Sequence, residues 1–297
     1  MKKHSVALAL VLGTLGGAGA WAHGGAGVPF LNIDRPGPAQ IMDAEGVAEL
    51  RWIDADPDDD ANIAFSFSSD PDVPAQAQAL VAGLPEDCDP SDAGPVYTGA
   101  ADAGGDLTEL YCRSYADAGA CNPDNDCYAW DVSAVAEGNY FILGVVDDHY
   151  PDGGGGNVRF ARSRGVVRVR KPGQNVPPAM LVTEPDGVGD LVDTCFRARW
   201  VDDDPDDDAI IDLYLKKSFS QQEPVLVAQG LSEDDVENGF DVDISAGEDL
   251  ADYEVIAEIR DSTHAPWRTR SLGRVTVYRA GAQDGGCVGT PVVWRDG

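Results

Sequence analysis

At 297 residues the chain can fill one large core or two modest ones. A formal net charge of −31, from 21 Lys and Arg against 52 Asp and Glu, argues against nucleic acid and anionic membrane as partners, since both need clustered basic side chains. Aspartate, which favours turns and caps, outnumbers the helix-forming glutamate 40 to 12, so the charge belongs to loops rather than to helix faces.

The chain opens with Lys2 and Lys3, a short apolar run over Val6–Leu12, and the small-x-small triplet Ala20-Trp21-Ala22. This is the pattern of an export leader over residues 1–22, with cleavage expected after Ala22 and His23 as the new N-terminus. The apolar run is too short to span a bilayer, and no lipid-accepting cysteine or apolar tail is found. The mature protein is therefore expected without a membrane span, either secreted to the cell surface or periplasmic.

A first module is expected over residues 28–171. It carries the string RWIDADPDDDA at Arg51–Ala61, which returns as RWVDDDPDDDA at Arg199–Ala209, an offset of 148 residues. The match continues in order. LVAGLPED (Leu80–Asp87) pairs with LVAQGLSED (Leu226–Asp234), and YAWDVS (Tyr128–Ser133) with FDVDIS (Phe240–Ser245). YFILGVVDD (Tyr140–Asp148) pairs with YEVIAEIRD (Tyr253–Asp261), and SRGVVRV (Ser163–Val169) with SLGRVTV (Ser271–Val277). A duplication explains this order. A proline-rich, semi-rigid linker over residues 172–178 separates the first copy from a second module over residues 179–297.

The periodicity is two, the mark of strands with one buried and one wet face. In the second copy, strands are predicted at Ala179–Thr183, Leu191–Val201, Ala209–Lys217, Val225–Leu231, Phe240–Ser245, Asp252–Arg260 and Arg274–Arg279. Short strands with turn signals between them indicate a β-sandwich, with Trp52 and Trp200 anchoring the two cores.

LRWIDADPDDDANIAFSF with ARWVDDDPDDDAIIDLYL, and WDVSAVAEGNYFILGVVDD with VDISAGEDLADYEVIAEIRD, resemble fibronectin type III-like and immunoglobulin-like modules of bacterial extracellular proteins. The resemblance covers the mature chain except residues 88–127 and the tail after Arg279. It implies an all-β fold of two tandem seven-stranded β-sandwiches, with Tyr140 and Tyr253 at the tyrosine-corner position. It also implies that the aspartate strings, the loops DDHYPDGGGGN (Asp147–Asn157) and DSTHAPWRTR (Asp261–Arg270), and the insert Cys88–Cys127 gather at one pole of each module. By strand direction, the acidic pole of the second module faces the linker and the base of the first.

The six cysteines, Cys88, Cys112, Cys121, Cys127, Cys195 and Cys287, read as disulfides in an exported chain. Within the insert, either Cys88–Cys127 encloses Cys112–Cys121, or Cys88–Cys112 is followed by Cys121–Cys127. Cys195 is expected to pair with Cys287, tying the tail to the second module.

Asp-Pro-Asp-Asp is turn chemistry, but a turn does not need five or six carboxylates. Either the surplus charge stays splayed in solvent, or it converges on a hard cation such as Ca²⁺, which takes 6–8 oxygen ligands. By alternation the candidate calcium ligands are Asp54, Asp56, Asp58 and Asp60 with Asp148, and Asp202, Asp204, Asp206 and Asp208 with Asp261. The EF-hand pattern is absent.

No nucleophile elbow, HExxH or P-loop is found, so no enzyme is expected. An alternative reading is a periplasmic copper protein using the terminal amine and imidazole of His23, with His149; another is an accessory module of a polymer-acting enzyme. Candidate partner contacts are His149, Tyr150, His264 and Trp267. The expected function is that of a surface or matrix-associated binding or structural protein, whose partner is an extracellular protein or polysaccharide.

Overall fold

A computed structural model describes residues 29–55, 61–70, 76–85, 97–98, 110–111, 121, 126–148, 158–186, 190–234 and 238–279. The leader, His23, His149, Tyr150 and the cysteines Cys88, Cys112 and Cys287 lie outside the described residues. No α-helix occurs among the described residues, and no helix is long and apolar enough to cross a membrane.

The first half contains β1 (Phe30–Arg35), β2 (Ile41–Ala44), β3 (Val47–Ala55), β4 (Ala61–Ser68), β5 (Gln78–Pro85), β6 (Tyr97–Thr98), β7 (Leu110–Tyr111), β8 (Cys127–Asp131), β9 (Gly138–Asp148), β10 (Val158–Arg162) and β11 (Val166–Val169). One sheet has the order β1-β3-β8. The facing sheet has the order β2-β11-β9-β4-β5, with β10 also on β9. The short pair β6-β7 stands apart, within the expected insert.

The second half contains β12 (Ala179–Glu184), β13 (Asp190–Val192), β14 (Cys195–Asp203), β15 (Ile210–Lys217), β16 (Val225–Ser232), β17 (Gly239–Asp243), β18 (Asp252–Arg260), β19 (Trp267–Arg270) and β20 (Val275–Val277). Its sheets are β12-β14-β17 and β13-β20-β18-β15-β16, with β19 also on β18, so the topology repeats strand for strand.

The inward residues of the alternating runs fill each core. In the first module Leu50, Trp52, Ile63, Phe65, Phe67 and Trp130 are buried together. Trp52 packs on Phe65 with ring centroids 4.8 Å apart, and Phe67 on Trp130 at 4.6 Å. In the second module Phe196, Trp200, Ile211 and Leu213 play the same part. Full burial of one such side chain contributes roughly 1.5–3 kcal/mol. The two tyrosines diverge. Tyr140 Oη donates to Ala136 O at 3.0 Å, whereas Tyr253 Oη accepts the Glu248 amide at 2.9 Å.

Each sandwich has a three-stranded and a six-stranded sheet, nine strands where seven were expected. One crossing and one interruption account for the difference. The predicted strand Leu191–Val201 is broken at Asp193-Thr194. Its start, β13, pairs in parallel with β20, and the chain then crosses to the other sheet as β14. Alternation cannot reveal such a crossing, because both sheets bury the same parity. The last strand is also broken, so Trp267–Arg270, expected in a loop, forms β19. The break comes from Ser271, whose Oγ accepts the Val255 amide at 3.1 Å and donates to Gly273 O at 2.8 Å. Ser163 does the same between Ile142 and Gly165. The shared Ser-x-Gly is thus a side chain standing in for a strand carbonyl.

Between the modules, residues 171–178 form no strand but are clamped along their length. Asn139 Nδ2 donates to Pro178 O at 2.8 Å, and the Val176 amide donates to Asp206 Oδ2 at 2.7 Å. Arg168, 1 % exposed, is the hub. Its Nε donates to Asp43 Oδ1 at 2.7 Å, within the first module. Its Nη1 donates to Pro177 O in the linker at 3.4 Å and to Asp203 O in the second module at 2.8 Å, and Nη2 bonds the Asp203 carboxylate. Beside it an apolar cluster of Phe141, Val166 and Leu181, flanked by Ile41, Val201 and Trp267, spans both modules. Phe141 and Trp267 stack at 5.8 Å, and the Arg162 guanidinium lies 4.8 Å from the Phe141 ring centroid on the way. The acidic pole of the second module therefore faces the base of the first.

Replacing Arg168 by Gln removes charge-assisted hydrogen bonds of a kind worth about 1.5–3 kcal/mol each. The expected outcome is two separate calorimetric transitions in place of coupled unfolding, and a broader distance distribution in solution scattering. Acid should act at the same joint. Partial burial raises the Asp43 carboxyl, but the bonds and charges of Arg168 and Arg170 outweigh it and hold the group below its ordinary range. Its contribution is therefore complete above the unfolded carboxylate pKa of about 3.9 and is lost as the pH falls below that. Scattering between pH 6 and pH 3 is expected to show the modules separating at the acid end.

Candidate functional site

The string Arg199–Ala209 runs off the end of β14, and its carboxylates divide into three groups. The first faces the core. Asp202 lies two residues after Trp200 on the same face of the strand, so its Oδ2 meets the indole and accepts the Nε1–H at 2.9 Å. Asn238 Nδ2 donates to its Oδ1 at 2.8 Å. Burial pushes this carboxyl up to about 6 against those bonds. In the first module Asp54, fully buried, accepts the Trp52 Nε1–H at 2.7 Å. Asp54 and Asp202 are thus indole acceptors: strand parity turns each onto the tryptophan two residues before it.

The second group holds the joint: Asp203 on Arg168, Asp206 on the Val176 amide, and Asp207 Oδ2 accepting Asn175 Nδ2 at 3.1 Å. Asp208 is exposed and lies outside every close carboxylate group among the described residues.

The third group is Asp204, Asp207 and Asp261, whose carboxylate oxygens lie within 4.8 Å of one another. Asp204 is 9 % exposed, and both of its oxygens are buried without a hydrogen bond; Asp207 Oδ1 is in the same state. Asp261 is organised by its own loop. Its Oδ1 accepts the Thr263 amide at 2.9 Å and the His264 amide at 2.6 Å, and its Oδ2 meets His264 Nδ1 at 2.6 Å. Although burial raises it, those bonds hold the Asp261 carboxyl below the ordinary range. Asp204 goes the other way, to about 6, through burial and then the neighbouring Asp207. Glu233 nearby is pushed to about 7 by burial, then by the charges of Asp204 and Asp202. Two carboxylates about 4 Å apart near a protein surface repel by about 4 kcal/mol. This pole therefore concentrates negative potential.

The alternation Asp202, Asp204, Asp206, Asp208 did not select this set, and Asp207 was missed. Alternation ends where β14 ends. Beyond it, Asp204-Pro205-Asp206-Asp207 bends, and a bend brings its first and fourth residues together. The signal that finds Asp207 is the turn motif rather than the strand period.

Asp56, Asp58 and Asp60 lie outside the described residues, and Asp148 closes β9 opposite Ala61. The copper candidates His23 and His149, and the partner candidate Tyr150, also lie outside them. His264 Nδ1 bonds Asp261, and Trp267 stacks on Phe141 in the joint. A further trio, Glu184, Asp186 and Asp190, lies where β12 gives way to β13. Burial and then Asp186 push Glu184 and Asp190 up. Cys121 and Cys127 are bridged, which rules out Cys88–Cys127 enclosing Cys112–Cys121. Cys195 is disulfide-bonded, to a partner outside the described residues.

No family model matches the chain, and no curated protein matches it. Solved structures do. The fibronectin(III)-like modules of Clostridium thermocellum CbhA are 12% identical over 86% of this chain and 100% of theirs, with a TM-score of 0.27. The two tandem V-type regions of VCBP3, a v-region-containing chitin binding protein, are 11% identical over 84% of this chain and 100% of theirs, at 0.35. The FN1–FN3 domains of chicken CNTN1 are 9% identical over 82% of this chain and 65% of theirs, at 0.24. Strand order, rather than these superpositions, assigns the fold.

Each module is a fibronectin type III-like, immunoglobulin-like β-sandwich.

In this sandwich the β14–β15 and β18–β19 connections leave one pole side by side, which is why Asp204 and Asp261, far apart in sequence, face one another. The Trp–Asp pair is the anchor that fixes where the first of these connections starts. In the first module, Asp54→Ala leaves a buried indole N–H without its acceptor and is expected to cost about 1–3 kcal/mol, with Asp54→Asn costing less. Urea unfolding of the two variants measures the difference.

Proposed function

We propose that the chain is an exported, non-enzymatic binding or structural protein of the cell surface or matrix. In this reading the two sandwiches are held as one stiff body, and the pole of the first module meets an extracellular protein or polysaccharide. The observation that carries the reading is the joint. The base of the first module and the pole of the second are consumed by each other through Arg168, Asp203 and the Phe141–Trp267 stack. The outward pole of the first module, where β3 gives way to β4 and β9 to β10, is left as the leading end.

Two further features support it. The leader, the disulfides and the strongly acidic composition suit an oxidising, extracellular setting. Near the leading end, Val158 and Phe160 on β10 stand out of the surface, Phe160 at 80 % exposure. Large aromatic side chains exposed on an otherwise acidic surface are where recognition energy concentrates.

The test joins location to surface. The full chain is expressed with its leader in the producing cell, and its retention on the washed envelope is compared with that of Phe160→Ser. The expected result is export of both proteins, equal melting temperatures and weaker retention of the variant. Wild-type protein that stays in the cytoplasm would defeat the reading, and equal retention of the two would remove this face from it.

A further inference from the structure

We propose that Asp204, Asp207 and Asp261 form a calcium site at the module junction, and that calcium bound there fixes the linker to the second module. This rests on the stiff two-module reading above and names the ligand that completes it.

The donor set comes first. Asp204 is nine-tenths buried, and neither of its oxygens has a hydrogen-bond partner. Asp207 is held by one oxygen through Asn175, while its buried Oδ1 has no hydrogen-bond partner. Asp261 has a side chain with 0% exposure and is fixed by two backbone amides, so its position is set before any ion arrives. Asp208 is exposed to solvent, whereas both oxygens of Asp204 are buried.

The spacing suits the ion. Two oxygens bound to one calcium at about 2.3–2.6 Å sit at most about 5 Å apart. The three carboxylates offer oxygens within 4.8 Å. The donors are all oxygen, and the nearby imidazole nitrogen, His264 Nδ1, is already engaged by Asp261, so the site suits a hard cation rather than copper or zinc. Donors drawn from two loops form an irregular set, which calcium accepts more readily than magnesium does.

The link to the joint is direct. Asp206 and Asp207 hold the Val176 amide and Asn175, both in the linker. An ion that draws Asp207 towards Asp204 and Asp261 restrains the same bend that carries these contacts. Calcium is thus expected to narrow the range of module orientations as well as raise stability.

The test uses the full chain stripped with chelator. It is titrated with CaCl₂ and, separately, with MgCl₂ by calorimetry, with solution scattering at each end point. Wild type, Asp204→Asn, Asp207→Asn and the exposed control Asp208→Asn are compared, with circular dichroism to confirm the fold. The expected result is binding at about 10⁻⁴–10⁻³ M. Asp204→Asn and Asp207→Asn should each lose one equivalent of calcium relative to wild type, or bind it at least about tenfold more weakly, while Asp208→Asn keeps it. Unchanged binding in both folded variants, or no heat from wild type at 10-fold above that range, overturns the proposal. Modules that stay rigid without binding calcium defeat the metal site alone. Modules that tumble freely with calcium bound defeat the stiff-body reading instead.

Discussion

A guanidinium taken almost wholly out of water governs the way this chain is assembled. Arg168 is 1 % exposed, and such a charge is tolerated only when its donors are matched. They are matched by three different parts of the chain: Asp43 in the first sandwich, Pro177 in the linker and Asp203 in the second sandwich. Asp43 and Asp203 retain partial contact with solvent on their outer sides, which lowers the desolvation cost for the anions. The stacked Phe141–Trp267 pair and the Leu181 cluster keep water from the joint, and the electrostatic bonds gain strength there in return.

Much of the architecture was legible because it follows from period and repetition. The buried parity of Ile63, Phe65 and Phe67 or of Ile211 and Leu213 marks strands directly, and the duplicated strings fix two sandwiches in tandem. What alternation does not encode is a strand that changes sheets without changing parity, as at Asp193-Thr194, or a strand interrupted by a hydroxyl, as at Ser163 and Ser271. The candidate site was half legible for the same reason. Alternation put Asp54 and Asp202 among the cation ligands, and the structure shows each accepting the indole N–H of Trp52 or Trp200. Past the end of β14 parity stops meaning anything, and Asp207 enters through the bend. Arg168 was not legible at all. Nothing in VVRV separates it from any arginine on a strand, and only the fold brings Asp203 to it.

The negative pole is balanced in layers. Indoles and Asn238 take up Asp202, Arg168 takes up Asp203, and linker amides take up Asp206 and part of Asp207. Arg168 neutralises one of these charges, and the neutral donors stabilise the others by hydrogen bonds. Among the described residues of this cluster, the oxygens left without a hydrogen-bond partner are those of Asp204 and the inner oxygen of Asp207. The surplus aspartates are therefore not equivalent, although they sit within seven consecutive residues.

The two copies differ at the positions through which they touch. The position of Asp203 is Ala55 in the first copy, and that of Arg168 is Thr276 in the second. Phe141 corresponds to Glu254, Trp267 to Arg159, and Val166 to Arg274. A head-to-tail contact between like modules is the geometry that, once repeated, grows into an open filament. Here the outward pole of the first module lacks the acid and the indole, and the far end of the second lacks the arginine and the ring. A second molecule offered end to end finds neither half of the joint. The divergence of the copies thus makes the joint singular: its acid, arginine and stacked rings meet within one molecule, and the aligned positions at its two outer ends carry other residues.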